Sequence, residues 1–476
     1  MTQPITTLTS LATTIDGRWL TLPTDASASI SGFSIDTRTL LPGDVFIALR
    51  SDKADGHDHL EAAAKAGAAA AIVSQPYPQT TTLPLLRVED TLTALHKAAA
   101  AHRNAFNIPV VAVIGSNGKT TTRQMAHAAL AAQRTGSQSP KSFNNHLGVP
   151  LTLLQVRPNH DFLVAELGTN HPGELQPLAT LAQPTHLILT TLGSEHLEHF
   201  HNLAGVTAEE TSALLHLQPP ATIISSTQAW SVAQRQQPER TARFQPILYS
   251  DIDTSAPIHL IPNTFRQTAT GIDFTASIHG QHIEITLPML GRHNAFNVLA
   301  ALAIAHELNV DPKAAANGLA HLPTVARRLE PIQLPNHLLI DDAYNANPES
   351  STLAIDTFLH IPTSHRTIVL GDMLELGTHT TEAHLQILTK LARHTDDIQQ
   401  LFLVGPHYAA AAQHDAFKRL SPVIEPEPSN DAITRITERI SDKPGSILIK
   451  ASLGLDFLRL RRAIEARFTS RTDDLH

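Results

Sequence analysis

The stretch that decides the fold reads VVAVIGSNGKTTT and spans residues 110–122. Its β-branched apolar run, Val110–Ile114, predicts a buried parallel strand. Gly115 and Gly118 lie in the polar turn that follows, and an Ala-, Met- and Leu-rich segment predicts a helix over residues 121–132. A strand, a glycine turn and a helix start together favour phosphate binding, because backbone N–H groups and the positive end of the helix dipole converge there.

The turn after this strand supplies residues with separate tasks on a nucleotide. Lys119 can reach the β- and γ-phosphates, and the Thr120 hydroxyl can coordinate magnesium. The two glycines are closer together than in the usual pattern, and an ordinary strand–turn–helix connection is the alternative. Because GKTTT follows a buried strand directly, we favour phosphate binding. The candidate nucleotide-binding residues are Ile114, Gly115, Ser116, Asn117, Gly118, Lys119 and Thr120.

The composition predicts a soluble globular protein. Of 476 residues, 42% are hydrophobic and 17% are charged, and the formal net charge of −9 offers no basic surface for nucleic acid. The absence of cysteine excludes disulfides, thiolate metal sites and cysteine nucleophiles. The N-terminus has no signal-peptide pattern, and no apolar run reaches the ~20 residues that a membrane span requires. We therefore expect a cytoplasmic protein without membrane insertion.

Two breaks in the sequence pattern predict three domains. A Thr- and Pro-rich stretch at residues 76–84 separates a small α/β module from the nucleotide strand, and Pro323 marks a second boundary. Beyond Pro323, apolar strands alternate with helices again, which predicts a second α/β layer. We place the domains at residues 1–88, 89–324 and 325–476.

Polar residues near other predicted strand ends are further candidates. Glu166 lies among apolar neighbours near the end of a strand predicted at residues 162–168, where ligands collect in parallel sheets. Since buried carboxylates are seldom left unpaired, a magnesium role is favoured over a solvated one. Asn144 and Asn145 could bind a polar substrate or form a turn, with equal support. His196 is a weak metal-ligand candidate because its neighbours fit no established zinc spacing.

A later helix start and two loops add to this set. Asn294, at the start of a long Ala- and Leu-rich helix, can face a ligand, whereas Asn297 on the same face could cap or pack. In the second α/β layer, DDAYNANP (341–348) and GDMLELG (371–377) each follow a predicted strand. Polar loops at one sheet edge predict a ligand cleft that faces the nucleotide domain.

Several further motifs are distributed along nearly the whole chain. They are SIDTR (34–38), PGDVFIAL (42–49), FNNHLGVPLTLL (143–154), ELGTNHPGE (166–174), GRHNAFNVLAA (291–301), RRLEP (327–331), DDAYNANPES (341–350), LGDMLELG (370–377) and IKAS (449–452). With the phosphate loop, they resemble the Mur ligases, most closely the MurF type, the UDP-N-acetylmuramoyl-tripeptide–D-alanyl-D-alanine ligases. The resemblance implies an α/β, three-domain architecture with an N-terminal UDP-sugar-binding domain, a central P-loop-type ATPase domain and a C-terminal Rossmann-like domain.

The resemblance also implies roles for individual residues. Asn294 matches an adenine-side asparagine, and Asp342 matches a ribose contact from the third domain. The residues that match catalytic positions are Lys119, Glu166, His196 and Arg328. Those that match magnesium ligands are Thr120, Glu166 and His196. The candidate substrate-binding residues are Asp36, Thr37, Arg38, Asn144, Asn145, Tyr344, Asn345 and Asn347.

The reaction implied by the resemblance is an amide ligation that uses ATP and Mg²⁺. The γ-phosphoryl group of ATP is transferred to the carboxylate of UDP-MurNAc-tripeptide, and the amine of D-Ala-D-Ala attacks the acyl phosphate. Lys119, magnesium and Arg328 would disperse the transferring charge. A monomer that acts in cytoplasmic peptidoglycan precursor synthesis is expected. The alternatives are a Mur-family ligase with a different amino or carboxylate substrate and a catalytically silent nucleotide-binding homologue.

Two positions depart from the family pattern. Mur ligases usually carry a carbamylated lysine shortly after the position of His196, but this chain has no lysine between Lys141 and Lys313. The matching position is Glu210 or Thr211, and our hypothesis is that Glu209 or Glu210 supplies the negative charge to the metal site directly. The late motif also differs, because residues 450–453 read KASL where the family commonly has KGSR.

Overall fold

The computed structural model describes residues 4–52, 54–75, 81–140, 142–193, 197–217 and 220–470. Within these ranges the strands form three sheets that follow one another along the chain. None of the helices in the described ranges is long and apolar enough to cross a membrane.

The first sheet is small and mostly parallel, in the order β1-β5-β4-β3-β2, with β1 antiparallel to β5. Its strands are β1 (Arg18–Thr21), β2 (Gly32–Ser34), β3 (Asp44–Ile47), β4 (Ala70–Val73) and β5 (Leu85–Arg87). Its helices are α1 (Leu8–Thr14) and α2 (Leu60–Lys65). The SIDTR motif begins in β2, so it lies at the carboxyl edge of this sheet.

The central sheet contains the phosphate-loop strand. Its strands are β6 (Val110–Ile114), β7 (Gly136–Gln138), β8 (Phe162–Glu166), β9 (His186–Leu189), β10 (Thr222–Ser226), β11 (Ile247–Ser250), β12 (Ile258–Leu260), β13 (Arg266–Gln267), β14 (Ile272–Ile278) and β15 (Gln281–Leu287). The order is β13-β14-β12-β11-β10-β9-β6-β8-β7, with β15 paired to β14. The strands from β6 to β12 pair in parallel, whereas β14 pairs antiparallel with β12, β13 and β15.

The helices that cover this sheet include the one that follows the phosphate loop. They are α3 (Thr91–Asn104), α4 (Lys119–Ala131), α5 (Gly148–Leu154), α6 (Leu175–Ala182), α7 (Leu197–Phe200), α8 (Leu203–Glu210), α9 (Thr227–Gln236), α10 (Pro238–Thr241), α11 (Arg292–Glu307) and α12 (Pro312–Ala320). The helix start predicted at residue 121 is wrong by two residues. Gly118 adopts a left-handed backbone as the N-cap, so Lys119 and Thr120 already belong to the first turn of α4.

The third sheet follows residue 325 and is parallel except for its first strand, in the order β16-β17-β21-β18-β19-β20. Its strands are β16 (Glu330–Gln333), β17 (His337–Asp342), β18 (Arg366–Gly371), β19 (Gln400–Val404), β20 (Val423–Glu425) and β21 (Gly445–Lys450). Its helices are α13 (Pro348–Leu359), α14 (Thr380–Leu391), α15 (Pro406–Ala411), α16 (Asn430–Arg439) and α17 (Leu458–Ser470). The edge strands β16 and β20 were not expected, because β16 (EPIQ) contains a proline and two polar residues and β20 (VIE) has only three residues.

A buried arginine ties α3 to the end of α6. The guanidinium of Arg103 donates to the carbonyl oxygens of Ala182 (2.9 Å), Gln183 (3.0 Å) and Phe106 (2.8 Å). The last carbonyls of a helix have no partner inside the helix, and a cation there also interacts favourably with the helix dipole. This contact holds α3 and α6 together beside the central sheet.

We expect Arg103→Met to destabilise the protein, because three carbonyl groups lose a buried charged donor. Removal of one partner from buried hydrogen bonds of this kind costs about 2–4 kcal/mol. The change would appear as a lower midpoint of thermal unfolding. Arg235→Met, at an exposed position on α9, is the control. A midpoint for Arg103→Met equal to that of the control would contradict the assignment.

Candidate active site

The phosphate loop is folded by two glycines that have no room for a side chain. Gly115 has a φ of +116°, and a Cβ there would lie 2.4 Å from Oγ1 of Thr190. Gly118 has a φ of +84°, and a Cβ there would lie 2.9 Å from Oδ1 of Asn297. Few L side chains tolerate this backbone region, and neither position has space for a Cβ. Both positions therefore require glycine. The loop consequently turns tightly enough to aim the start of α4 at an open cavity.

The first half of the loop is bound to the protein itself. The Gly115 N–H donates to Oε2 of Glu210 (2.7 Å), and the Ser116 N–H donates to the Thr191 carbonyl (2.9 Å). The Asn117 N–H donates to the Thr191 hydroxyl at 2.9 Å. The N–H groups of the first turn of α4 have no carbonyl partner inside the helix. An anion would therefore bind at the helix start rather than at the strand end.

Lys119 lies over the loop that precedes it. Its Nζ donates to the carbonyl oxygens of Gly115 and Ser116, the latter at 3.1 Å. The ammonium group is thus held beside the helix start, within the same cavity. A phosphate placed there would meet both the helix dipole and this cation.

Glu166, at the end of β8, is the centre of a buried hydrogen-bond cluster and is 1% exposed. Its Oε1 accepts from the Thr120 hydroxyl and from Nδ2 of Asn144, each at 3.0 Å. Its Oε2 lies 3.4 Å from Nε of Arg123. Burial lowers the pKa of Arg123, and the Glu166 carboxylate opposes this effect. The pairing of a carboxylate with a hydroxyl beside a phosphate site fits Mg²⁺, which is usually held by one or two protein oxygens, phosphates and water.

The linker before the third sheet brings a second cation to this cluster. Nη2 of Arg328 donates to the Thr120 hydroxyl at 3.3 Å. The same guanidinium lies 4.4 Å from the ring centroid of Tyr344. The Tyr344 hydroxyl in turn donates to Oγ of Ser142 at 2.9 Å. Arg328 is therefore held between the central and third domains.

The side chain of Asn117 also reaches the third domain. Its Oδ1 accepts from Nδ2 of Asn347 (3.1 Å), and its Nδ2 donates to Oε2 of Glu349 (2.9 Å). Asn347 is the N-cap of α13. Asn117 was predicted to bind the nucleotide, but its side chain and its N–H are both used by protein partners here. The residue joins the phosphate loop to α13.

Asp342, at the end of β17, forms an ion pair with the buried Lys450, with Nζ and Oδ2 2.7 Å apart. Its Oδ1 accepts from the N–H of Leu329 at 2.9 Å. Lys450 also donates to the carbonyl of Asn345 at 2.8 Å. Lys450 therefore neutralises Asp342 and stiffens the polar loop that carries Tyr344 and Asn345.

The start of α11 forms another wall of the same cavity. Nδ2 of Asn294 donates to the carbonyl of Leu290 (2.7 Å), and its Oδ1 accepts from Nδ2 of Asn297 (3.2 Å). His293 is buried beside Asp342 and Lys450, and burial lowers its pKa to about 4. His293 is consequently neutral at pH 7.

These elements enclose one cavity of about 450 Å³ between the central and third domains. The predicted site residues that line it are Ser116, Asn117, Gly118, Lys119, Thr120, Asn144, Glu166, Asn294, Arg328, Asp342, Tyr344, Asn345 and Asn347. Cavity-lining residues that the sequence reasoning missed include Ser142, His293, Leu353 and Lys450. Glu375, from the polar loop predicted to face the cleft, and Asn297, predicted to cap or pack, also line the cavity.

Other predicted site residues lie elsewhere. Ile114 is buried in β6, and Oδ1 of Asn145 accepts from the N–H of Gly148, the first residue of α5, at 2.9 Å. Glu210 lies behind the phosphate loop and does not line the cavity. His196 lies outside the described residues. Its proposed metal role stays a prediction.

The candidate substrate residues of the first domain form a separate group after β2. Asp36 and Arg38 pair with each other, with Oδ2 and Nη2 2.6 Å apart, and Thr37 lies between them in sequence. The hydrogen bond from Arg38 holds the pKa of Asp36 at about 2. This group does not line the cavity. The structure thus separates this group from the candidate substrate-binding residues Asn144, Tyr344, Asn345 and Asn347, which line the cavity.

The fold and this cavity define a class of protein, a three-sheet α/β protein in which a glycine-turned loop and a helix start face a cavity that residues after the third sheet's first strands also line. Comparison with known families matches three segments of the chain. Residues 29–103 match "Mur ligase family, catalytic domain", residues 113–305 match "Mur ligase middle domain", and residues 327–453 match "Mur ligase, glutamate ligase domain". The chain belongs to the Mur ligase family.

Individual relatives agree with this assignment. The UDP-N-acetylmuramoyl-tripeptide–D-alanyl-D-alanine ligase of Escherichia coli K12 is 36% identical over 76% of this chain and 79% of its own length. The ligase of the same name from Bacillus subtilis is 32% identical over 90% and 91%. A crystal structure of MurF from Acinetobacter baumannii superposes with a TM-score of 0.83 at 25% identity, covering 98% of this chain and 100% of that one. MurF of Thermotoga maritima, in complex with ADP, shares the fold (TM-score 0.74, 23% identity, coverage 92% and 98%).

We expect Gly115→Ala to abolish nucleotide binding, because the added methyl group would overlap Thr190 and the backbone would be strained. Calorimetric titration with ADP measures the loss. Gly280→Ala is the control for backbone strain, since Gly280 also has a positive φ but has open space around its Cβ position. Unchanged ADP affinity in Gly115→Ala would contradict the loop geometry.

The lowered pKa of His293 predicts a pH-dependent stability. Between pH 6.5 and about 4 the unfolded chain binds a proton that the folded chain does not, so stability falls as the pH falls through this window. We expect the midpoint of thermal unfolding to fall less steeply over this range in His293→Asn than in the wild type. His360→Asn, at an exposed position, is the control. Parallel curves for wild type and His293→Asn would refute the assignment.

Proposed function

We propose that this chain is the ATP-dependent ligase that adds D-Ala-D-Ala to UDP-N-acetylmuramoyl-tripeptide and forms ADP. The name shared by the curated relatives supports this substrate pair. The observation that carries the proposal is the arrangement of Lys119, Thr120, Glu166 and Arg328 around one cavity that the third domain closes. A protein that only bound nucleotide would not need the polar third-domain residues Tyr344, Asn345 and Asn347 to face these groups across the same cavity.

We assign the phosphates of ATP to the start of α4 and the base and ribose to the side of Asn294 and Asp342. Thr120 and Glu166 would hold Mg²⁺, which supplies neutralisation of phosphate charge when it is bound. Lys119 would leave the carbonyl groups of its own loop and donate to the transferring phosphoryl group. Arg328 would stabilise the same charge from the linker side.

The reaction has two steps. A carboxylate oxygen of the tripeptide forms a bond to the γ-phosphorus as the bond to the bridging oxygen of ADP breaks. The amine nitrogen of D-Ala-D-Ala then bonds to the acyl carbon, loses a proton, and phosphate leaves. Tyr344, Asn345 and Asn347 face the cavity from the third domain, and we assign the incoming amine to that wall. A cavity closed by the third domain would exclude water and protect the acyl phosphate from hydrolysis.

The domains divide this work at residues 1–88, 89–324 and 325–476. We assign the UDP end of the substrate to Asp36, Thr37 and Arg38 in the first domain, which lie outside the cavity. The tripeptide end of the same substrate would then have to extend from that domain to the phosphate loop. We propose a monomer that works in the cytoplasm, where ATP and the UDP-linked substrate occur together.

The direct test is ADP release with ATP, Mg²⁺, UDP-MurNAc-tripeptide and D-Ala-D-Ala, with each amino-acid-containing substrate left out in turn. We expect ADP only when both are present, together with a pentapeptide product by mass spectrometry. ADP release with a different amine or carboxylate would favour another ligase of the family. ATP binding without turnover on any pair would favour a silent homologue.

Lys119→Ala should lower kcat by roughly a hundredfold or more, because a cation beside the transferring phosphoryl group is lost. Coupled ADP assays measure the change. Lys313→Ala, at an exposed position on α12, is the control and should leave turnover unchanged. Turnover of Lys119→Ala within threefold of the control would contradict the assigned role.

A further inference from the structure

Two adjacent glutamates at the end of α8 hold two different loops. Glu210 accepts from the N–H of Gly115, at the start of the phosphate loop, at 2.7 Å. Glu209 accepts from the N–H groups of Gly173 (2.8 Å) and Leu175 (2.9 Å), beyond the end of β8. Both carboxylates are buried, with 1% and 7% of the residue exposed for Glu210 and Glu209. Neighbours in sequence therefore point in different directions.

The two loops follow neighbouring parallel strands, β6 and β8, and the hydrogen-bond cluster around Glu166 lies where these strands end. In the register of β6 and β8, Val113 lies opposite Glu166. The loop after β6 leads to Lys119 and Thr120, while Glu166 is the last residue of β8. A connection between these loops through α8 would hold the Thr120 hydroxyl and the Glu166 carboxylate at their separation of 3.0 Å.

The end of α8 is itself firmly held. Arg240 of α10 donates to the carbonyl of Ala208 and to the Thr211 hydroxyl, the latter at 3.1 Å. Asn202 caps the start of the helix by accepting from the N–H of Gly205 at 3.0 Å. The two carboxylates thus extend from a support that is fixed at both ends.

Glu210 acts on the loop from the side opposite the cavity. It does not line the cavity, and its Oε1 has no hydrogen-bond partner within the described part of the chain. Nζ of Lys119 donates to the Gly115 carbonyl, and the Gly115 N–H donates to Glu210. Both peptide groups of Gly115 are therefore hydrogen-bonded to side chains, its N–H to a carboxylate oxygen of Glu210 and its carbonyl to the ammonium group of Lys119.

We propose that Glu209 and Glu210 form a brace that sets the phosphate loop against the loop after β8, with Glu210 the positioning residue for the phosphate loop. The inference rests on the proposed nucleotide-dependent function. It competes with the hypothesis that Glu210 supplies negative charge to a metal site. A positioning role requires a hydrogen-bond acceptor, whereas a metal role requires a charge.

The test is calorimetric binding of ADP in EDTA, without Mg²⁺, to wild type, Glu210→Gln and Glu210→Ala. The glutamine carbonyl can accept from the Gly115 N–H, so we expect Glu210→Gln to bind within about threefold of wild type. Glu210→Ala leaves a buried N–H without a partner, and we expect affinity to fall about tenfold. In turnover assays, the KM for ATP should rise in Glu210→Ala more than kcat falls, and the Mg²⁺ dependence of Glu210→Gln should match wild type.

Glu209→Ala is the matched control, since it removes the neighbouring buried carboxylate from the same helix. It should lower kcat through the Glu166 loop and leave metal-free ADP affinity near the wild-type value. Equal loss of ADP affinity in both alanine variants would mean general destabilisation and would overturn the specific role of Glu210. If Glu210→Ala does not fold, Glu210→Gln decides through its Mg²⁺ dependence.

Two results separate failure of the brace from failure of the function. Wild-type ADP affinity in Glu210→Ala, with a raised Mg²⁺ requirement in Glu210→Gln, would replace the brace by a metal role. Absence of ADP binding to the wild type would instead remove the proposed function on which the brace rests.

Discussion

The packing of Gly115 against the neighbouring strand end is the constraint on which the site depends. There is no space for a Cβ beside Thr190, and the backbone has a φ that favours glycine. The chain must therefore turn at this point, and α4 must start at Lys119. The turn brings Thr120 within 3.0 Å of Glu166 and leaves the helix start facing the cavity. A loop of this shape separates scaffold contacts on one side from ligand contacts on the other.

The third domain meets this loop through polar side chains, not through an apolar interface. Asn117 contacts Asn347 and Glu349, and Tyr344 contacts Ser142. Hydrogen bonds of this kind contribute about 1 kcal/mol each and can exchange with water. Hydrogen bonds of this kind can therefore break and re-form at the loop if the third domain moves during turnover. The same contacts place Tyr344, Asn345 and Asn347 across the cavity from the start of α4.

Local sequence patterns predicted those strands, turns and site residues whose structure depends on their neighbours in the chain. The β-branched run Val110–Ile114 and the glycine turn predicted β6 and the loop, and Glu166 was found because it ends an apolar strand. Contacts between distant segments left no local pattern. Asn117 and Glu349 form a hydrogen bond although they are 232 positions apart in the sequence, and Ser142 and Tyr344 do so although they are 202 positions apart. The short edge strands β16 and β20 were missed because their pairing, not their composition, makes them strands.

The most direct test of the account follows the oxygen atoms of the reaction. The substrate carboxylate is labelled with ¹⁸O, and the released phosphate is analysed by mass spectrometry. Phosphoryl transfer to the carboxylate in this cavity predicts one ¹⁸O atom in each phosphate, because the acyl–oxygen bond breaks when the amine attacks. Unlabelled phosphate, or label found in AMP, would contradict the acyl-phosphate route and the roles assigned to Lys119 and Arg328.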